Sequence, residues 1–355
     1  MNRKYIKTLM LLSLATGAMA QQKSSNLHIG FVYPISSNGS AAAQYTNKTS
    51  LHLLSGLSYA EKGFAGSGIA TIVKDSVRGT AISGITNLVG NHAKGVLLAG
   101  IYNGVRNDMK GAQIAGVANA SKTMEGIQMA GITNLADSTN GTQLSGIFNS
   151  APKGEAGLQI AGIANYASQV HVQIGGILNR AKKVKGVQIG LINIADSSEY
   201  SIGLINIVKN GEKSIGLSID ETATGLVTFR SGGRRLYGIF GAGYNFKSKQ
   251  TLYAFEAGVG YRLPVAGGFR MNFEIANIVL EDFKKGSYNK AAGRIYAAYR
   301  FGKRFEIYAG PTFNYLFITD DLGKDLVSNY IRTKMRNGHF EGTYIGASGG
   351  VQFVF

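Results

Sequence analysis

The sequence predicts an all-β protein in three parts: an export signal, a repetitive region that folds as a β-solenoid or a β-meander, and a C-terminal antiparallel transmembrane β-barrel. Three observations lead to this prediction. Glycine makes up 49 of the 355 residues, about twice its usual share. A short glycine-containing motif recurs through the middle of the chain. The last third alternates apolar and polar residues along segments rich in aromatics.

Residues 1–20 have the pattern of a cleaved secretory signal. Arg3, Lys4 and Lys7 precede a mostly apolar stretch, and the run Ala18-Met19-Ala20 provides the small residues that signal peptidase accepts. The alternative, a membrane anchor, needs about 20 apolar residues, and this stretch is shorter. We therefore expect an exported chain whose residues 21–48 form an N-terminal strand and a linker.

Composition and charge narrow the function classes. The chain has no cysteine, which excludes disulfides, thiolate metal sites and thiol catalysis. Its formal net charge is +17, and such a basic chain usually binds nucleic acid. An exported protein instead meets lipid phosphates, lipopolysaccharide and acidic glycans. We expect no nucleic-acid partner and no cofactor.

The repeat unit reads G-x-Q-Φ-A-G-Φ-x-N, where Φ is an apolar residue, and the repeats occupy residues 49–221. The inner glycine recurs every 13 to 16 residues, and an asparagine follows it by three positions in nine consecutive units. These pairs are Gly84 with Asn87, Gly100 with Asn103, Gly116 with Asn119, Gly131 with Asn134, Gly146 with Asn149, Gly162 with Asn165, Gly176 with Asn179, Gly190 with Asn193, and Gly203 with Asn206.

A period of this length leaves two architectures open, because helical repeats are longer. In a parallel β-solenoid each unit is one coil, the glycines occupy tight corners and the asparagines form a hydrogen-bonded ladder. In a meander each unit is one strand of a large barrel. The connections between units are all alike and aromatics are scarce, and both features favour the solenoid.

Residues 222–355 form the predicted barrel region. Segments such as 253–263 and 269–276 place aromatic and aliphatic residues on one face and charges on the other. This pattern is typical of a membrane barrel with an apolar exterior and a polar lumen. The alternative is a soluble sandwich with its charged face in water. The charged residues of these strands all fall on one face: Glu256, Arg262, Arg270, Glu274, Arg294, Arg300 and Glu306.

The last strand alternates to the final residue. Val351, Phe353 and Phe355 resemble the C-terminal signal by which the barrel-assembly machinery of Gram-negative bacteria recognises outer-membrane proteins. Seven strands can be counted after residue 225, whereas bacterial barrels have even strand numbers. We expect residues 27–34 to supply the eighth strand by pairing with the last one, which would make the solenoid an insertion between barrel strands. The charged stretch 320–341 is the longest predicted loop.

Candidate catalytic patterns are weak. Gly346-Ala-Ser348-Gly-Gly350 matches a nucleophile elbow, but only five residues follow it, too few for the remaining members of a triad. A packed salt-bridge network explains the charges of the predicted lumen more simply than a catalytic site does. The histidines lack the spacing of metal ligands: His28, His52, His92, His171 and His339. The sequence therefore predicts no catalytic, cofactor-binding or metal-binding residue.

The units at 157–165 and 186–193, with the opening segment 50–58, resemble a bacterial surface-repeat family found in spirochaetes and Bacteroidetes-type bacteria. The resemblance covers roughly residues 49–220. It implies exposure at the envelope of a Gram-negative cell, and it lends no catalytic residues.

Together these observations predict a non-enzymatic, surface-exposed outer-membrane protein that presents a repetitive β surface for adhesion, envelope structure or glycan contact. Its expected partners are outer-membrane lipid and lipopolysaccharide, the barrel-assembly machinery during biogenesis, and an unidentified extracellular glycan or protein. One alternative is a porin-like channel in which the repeats are barrel strands. Another is an enzyme that acts on lipid or lipopolysaccharide, with Ser348 and Glu256 as the residues to test.

Overall fold

The computed structural model describes residues 22–284, 286–336 and 339–355. The predicted signal, residues 1–20, lies outside the described residues. The described chain is almost entirely strand, and its only helices are two short 3-10 turns at Gly39–Gln44 and Lys324–Leu326. Neither is long and apolar enough to cross a membrane. The described backbone divides into two compact units, the first ending at Gly131 and the second beginning at Ile132.

The first unit is a solenoid of parallel strands. It contains β1 (Lys23–Val32), β2 (Ile35–Ser36), β3 (Tyr45–Ser58), β4 (Ala60–Ser67), β5 (Ala70–Val73), β6 (Val77–Ser83), β7 (Thr86–Val89), β8 (Ala93–Ala99), β9 (Tyr102–Ala115) and β10 (Ala118–Ala130). Equivalent repeat positions pair directly, as Asn103 with Asn119 and Gln113 with Gln128. Apart from the short antiparallel β2, each strand pairs in parallel with the equivalent strand one unit away.

The second unit begins with further solenoid coils. Their strands are β11 (Thr133–Ser145), β12 (Phe148–Ala161), β13 (Ala164–Gly175), β14 (Leu178–Ile189), β15 (Ile192–Ser197), β16 (Tyr200–Ile202) and β17 (Ile205–Val208). All of these pair in parallel, with Asn149 beside Asn165 and Gln159 beside Gln173. The parallel pairing identifies each repeat unit as a coil, so the alternative in which the units are strands of a larger barrel is wrong.

Glycine is required where successive coils turn from one strand to the next, at a position that we call the Gly corner. A Cβ atom added at Gly162 would lie 2.2 Å from the carbonyl oxygen of Gly146, and one at Gly176 would lie 2.2 Å from that of Gly162. Backbones approach this closely only without a side chain. The recurring inner glycine of the sequence is thus explained by stacking of backbone on backbone.

An antiparallel barrel completes the second unit. Its strands are β18 (Lys213–Asp220), β19 (Thr224–Gly232), β20 (Leu236–Asn245), β21 (Tyr253–Ala266), β22 (Phe269–Glu281), β23 (Ser287–Phe301), β24 (Phe305–Thr319) and β26 (His339–Val354), with β25 (Arg332–Arg336) as a hairpin partner of β26. Each strand pairs with the next, and β26 pairs with β18 over Ser214–Asp220. This last pairing closes the sheet, which confirms the all-β fold with a solenoid and a closed barrel.

Two details of the strand assignment from sequence are wrong. Residues 27–34 do not pair with the last strand; β1 runs parallel to β3 as the first layer of the solenoid. The eighth barrel strand is β18, which lies within residues 49–221, the predicted repeat region, and contains Gly216 at the repeat spacing of 13 residues after Gly203. Gly216 instead faces Gln352 across the closing pair. The solenoid consequently precedes the barrel and is not inserted in it.

The two ends of the barrel differ in their connections. At one end, the strands are joined by residues 233–235, 267–268 and 302–304, and we call this the short-turn end. At the other, the long-loop end, the connections include residues 246–252 and 320–338. The predicted loop 320–341 accordingly contains the longest connection, although part of it forms β25 and the start of β26.

Candidate functional site

Two ladders of buried amide side chains run through the interior of the solenoid. In the second unit each asparagine side chain donates to the next: Asn149 Nδ2 lies 3.0 Å from Asn165 Oδ1, and Asn165 Nδ2 lies 3.0 Å from Asn179 Oδ1. Each also donates to a backbone carbonyl, as Asn165 does to Ile174 at 2.8 Å. In the first unit, Asn87, Asn103 and Asn119 form the same chain of contacts, at 2.8 and 3.0 Å. These buried amides are structural, because their hydrogen bonds are made within the protein.

Glutamines form the second ladder, near the end of the strand that precedes each Gly corner. Gln173 Nε2 donates to Gln159 Oε1 at 2.7 Å, and Gln188 Nε2 donates to Gln173 Oε1 at 2.8 Å. Each glutamine donates to the preceding coil, whereas each asparagine donates to the following one. The amide dipoles of the two ladders therefore point in opposite directions along the stack.

The asparagine ladder ends on the barrel. Asn206 Nδ2 donates to the carbonyl oxygen of Ser231 at 2.7 Å, and the Asn206 backbone N–H donates to Ser231 Oγ at 3.0 Å. Ser231 lies on β19, and its side chain is buried. The last coil of the solenoid is consequently hydrogen-bonded to the barrel wall through the same residue type that stacks the coils.

The barrel interior contains the seven charges that the sequence placed on one face. Arg230, which was not among the predicted lumen charges, joins them: its Nε lies 2.8 Å from Glu274 Oε1. Arg294 Nη1 lies 2.6 Å from Glu256 Oε1, and Arg270 Nη2 lies 2.6 Å from Glu306 Oε2. These side chains are almost completely buried. The predicted packed salt-bridge network is therefore present.

Further side chains fill the rest of the lumen. At the short-turn end, Glu212 accepts hydrogen bonds from Arg270 and Arg300 at 2.7 Å, and the guanidinium of Arg262 lies 3.7 Å from the same carboxylate. At the long-loop end, Lys290 contacts Asp220 and lies 3.7 Å from Glu221. A small apolar cluster packs over this end and includes two residues of the long loop: Leu252, Ile278, Leu280, Leu316, Leu322, Leu326 and Phe340.

The lumen charges named here balance. The cations are Arg230, Arg262, Arg270, Lys290, Arg294 and Arg300, and the anions are Glu212, Asp220, Glu221, Glu256, Glu274 and Glu306. An eight-stranded barrel is just wide enough to be filled by side chains. The ion pairs named here therefore leave the lumen without a surplus of one charge.

The residues proposed for a catalytic alternative are engaged in packing. Ser348 Oγ lies 2.7 Å from Tyr296 OH, and Glu256 accepts a hydrogen bond from Thr228 at 2.9 Å besides its contact with Arg294. No histidine contact to Ser348 is present among the described residues. A serine nucleophile needs an adjacent base, and Ser348 has a tyrosine instead.

Two histidines that the sequence treated separately lie together in the first unit. His28 and His52 are buried with Nε2 atoms 3.4 Å apart, and Asn47 bridges His28 to Glu61 with contacts of 3.3 and 3.0 Å. Ser50 also donates to Glu61, at 2.7 Å. Parallel pairing of β1 and β3 brings residues 24 positions apart to one place, so no local motif could have revealed the cluster.

Burial governs the protonation of this cluster. It lowers the pKa of His28 to about 4, with a further contribution from the neighbouring His52. Burial also lowers the pKa of His52 and raises that of the Glu61 carboxyl. Both histidines are consequently neutral at pH 7. Within the described residues, no group of three or more His, Cys, Asp or Glu side chains is arranged to hold a metal ion.

The outer surface has the opposite character. Barrel residues on the alternate positions of the same strands are exposed and apolar, among them Phe240, Phe255, Val259, Phe273, Ile275, Ile295, Ile307 and Phe313. Val351, Phe353 and Phe355 are also exposed, on and just after the closing strand. The predicted division between an apolar outer face and a charged inner face is thus confirmed. Closure of the sheet through the pairing of β18 with β26 excludes the sandwich architecture.

Comparison with known proteins provides no relative. No family model, no curated protein and no solved structure matches this chain.

Proposed function

We propose that this chain is a non-enzymatic outer-membrane protein whose eight-stranded barrel spans the bilayer and whose solenoid presents a repetitive β surface within the cell envelope. One observation carries the proposal: the barrel exposes its apolar residues and buries its charges. A water-soluble protein has the reverse arrangement, because exposing apolar area to water costs about 25 cal/mol per Å². In a bilayer the same exterior is solvated by lipid chains.

The dimensions of the barrel fit a bilayer. Phe305 and Tyr315 on β24 are both exposed and lie ten residues apart. At about 3.3 Å per residue and a strand tilt of about 40°, they are separated by about 25 Å along the barrel axis. This is about the height of the apolar band of outer-membrane barrels.

Aromatic side chains cluster at both ends of the barrel exterior. At the short-turn end, the ring of Tyr299 lies 4.5 Å from that of Phe269 and 4.7 Å from that of Phe301. At the long-loop end, Tyr253 lies 6.1 Å from Tyr244 and 5.6 Å from Phe283. Aromatic belts at these two levels are typical of the membrane interfaces of a spanning protein.

The proposed partners follow from the same surface. Lipid chains solvate the apolar exterior. β25 carries Arg332, Lys334 and Arg336, all exposed at the long-loop end, where they suit the phosphates of lipopolysaccharide. The outward-facing Val351, Phe353 and Phe355 are the proposed signal for the barrel-assembly machinery. The resemblance to a surface-repeat family and the predicted export signal support an outer-membrane location.

Cell fractionation with heat-modifiable electrophoresis tests this proposal. We expect the protein in the outer-membrane fraction, retained after a urea wash, and migrating faster in SDS before boiling than after it, because a closed barrel resists SDS. A protein found in the soluble periplasmic fraction, with one mobility regardless of heating, would contradict the proposed function.

A further inference from the structure

Each solenoid coil of the second unit is amphipathic. The segments around the Gly corners contain no Asp, Glu, Lys or Arg: residues 132–135, 143–149, 159–165, 173–179, 188–193 and 201–206. The charged residues of the coils lie in the intervening segments, which we call the charged bends. Ion pairs connect these bends from coil to coil, as Lys153 with Asp137 at 2.9 Å and Lys209 with Asp196 at 2.7 Å.

The Gly corners instead expose aliphatic side chains. Ile147, Ile163, Ile177 and Leu191 follow one another along successive corners and are 42%, 43%, 47% and 48% exposed. The strands on both sides of the corner add further exposed residues: Ile160, Ile174, Ile189, Ile205 and Ile207. We call this row the aliphatic edge. It is a continuous apolar strip of a kind that monomeric proteins rarely leave in water.

Strand pairing joins the aliphatic edge to the outer face of the barrel. Ile189 pairs with Ile202 in β16, and in the same strand Tyr200 pairs with Leu236 at the start of β20. Paired residues point to the same side of a sheet. The outward face of these coils is therefore continuous with the face of β20 that exposes Phe240.

The junction also fixes which way each coil points. The backbone N–H of Arg235, in the turn at the short-turn end, donates to the Glu199 carbonyl in a charged bend at 3.0 Å. From that bend, Tyr200–Ile202 runs parallel to β20 towards the middle of the barrel, and a Cβ atom at Gly238 would lie 1.8 Å from the carbonyl oxygen of Gly203. The charged bend thus lies level with the barrel turn, and the Gly corner lies deeper along the barrel wall.

The distance between the charged bend and the Gly corner fits within one leaflet of a bilayer. Tyr200 and Gly203 are three residues apart, which is about 10 Å of extended strand. Half of the hydrocarbon core of a bilayer is about 15 Å thick. A coil placed this way would put its Gly corner among lipid chains and its charged bend among head groups and water.

We propose that the aliphatic edge of residues 132–207 inserts into the hydrocarbon of the leaflet at the short-turn end of the barrel, with lipid acyl chains as its partner. This inference rests on the proposed membrane-spanning barrel. Since the short turns of outer-membrane barrels face the periplasm, the edge occupies the periplasmic leaflet and the charged bends face the periplasm. The position favours a role in envelope structure over adhesion.

Lipid quenching tests the insertion, and the absence of cysteine from the chain makes single-cysteine labelling direct. Three variants of the full-length protein are labelled with an environment-sensitive fluorophore in vesicles of brominated or ordinary phosphatidylcholine. Ile177→Cys probes the aliphatic edge, Lys183→Cys probes the charged bend of the same coil, and Phe255→Cys probes the barrel exterior. Ile163→Cys replaces Ile177→Cys if that variant does not fold.

We expect brominated lipid to remove most of the emission at residues 177 and 255 and to leave that at residue 183 unchanged. Quenching at residue 255 without quenching at residue 177 would overturn the insertion while leaving the barrel in the membrane. Absence of quenching at residue 255 would overturn the proposed function and the insertion with it.

Labelling of intact cells tests the leaflet. A membrane-impermeant maleimide should label Lys334→Cys in the long loop of intact cells, and should label Lys183→Cys only after the outer membrane is permeabilised. Labelling of Lys183→Cys in intact cells would overturn the periplasmic placement.

Discussion

The asparagine ladder predicts a measurable loss of coil stability when Asn165 is replaced. Asn165 lies in the ladder between Asn149 and Asn179. Its side-chain amide accepts a hydrogen bond from Asn149 and donates to Asn179 and to the Ile174 carbonyl. Replacing it with alanine removes all three hydrogen bonds and leaves buried acceptors on Asn179 and Ile174 without this donor. Each lost bond costs about 1 kcal/mol, and more where an acceptor stays unsatisfied. We expect Asn165→Ala to destabilise these coils by about 3 kcal/mol.

Hydrogen exchange measured by mass spectrometry reports this loss locally. A solenoid coil is held mainly by its contacts with the neighbouring coils, so it opens more readily when those contacts are lost. A loss of about 3 kcal/mol raises the exchange rate of amides in residues 148–190 roughly 10²-fold. Peptides of β21–β24 should exchange as in the unchanged protein. Asn140→Ala is the matched control, because Asn140 is an exposed asparagine in the same region, and we expect a change below about 0.5 kcal/mol.

Equal exchange rates in Asn165→Ala and Asn140→Ala would refute the reasoning. That result would mean that the buried amide ladder contributes no more to stacking than a solvated side chain does, and that backbone pairing alone holds the coils together.

Three further predictions follow from contacts at other sites. Gly162→Ala should destabilise its coil by at least about 2 kcal/mol, measured by the same exchange experiment, because its Cβ atom would meet the Gly146 carbonyl at 2.2 Å. Arg230→Met should lower the stability of the barrel by about 3 to 5 kcal/mol, seen as a lower temperature for the heat-modifiable transition, because a buried Glu274 loses its closest cation. Acidification from pH 7 to 5 should lower the local stability of residues 23–66 by about 2 kcal/mol. The depressed pKa of His28, about 4, means that the unfolded chain binds a proton in this window while the folded chain does not.

Each of these has its own control. Gly157→Ala places a Cβ atom 3.0 Å from the nearest carbonyl and should cost much less than Gly162→Ala; equal costs would argue against the corner explanation. Arg234→Met removes an exposed arginine, and a barrel transition lowered as much as in Arg230→Met would show that burial does not matter. Peptides around His171, whose side chain is 60% exposed, should keep their intrinsic-rate-corrected protection at pH 5; a matching loss there would exclude His28 as the cause.

Periodicity in the sequence was sufficient to predict most of the fold. The Gly162 and Asn165 positions of each unit are dictated by contacts with the equivalent residues of neighbouring coils, so the constraint repeats and is visible in one sequence. The charges of the barrel strands alternate for a similarly simple reason, because successive side chains point to opposite sides.

Non-local pairing is what the sequence could not specify. β18 has the glycine spacing of a repeat, and only its pairing with β26 assigns it to the barrel. His28 and His52 share a site through parallel pairing of two long strands, without any spacing that signals it. Arg230 was likewise missed, because β19 is short and its alternation is weak next to the long barrel strands.

Folding of the urea-denatured protein into lipid vesicles tests the central claim, that the barrel is built with its apolar side outward for a membrane. We predict that the protein acquires β structure and a heat-modifiable band only when vesicles are present, and that it aggregates on dilution into buffer alone. A monomer that folds cooperatively in buffer without lipid or detergent would contradict the claim.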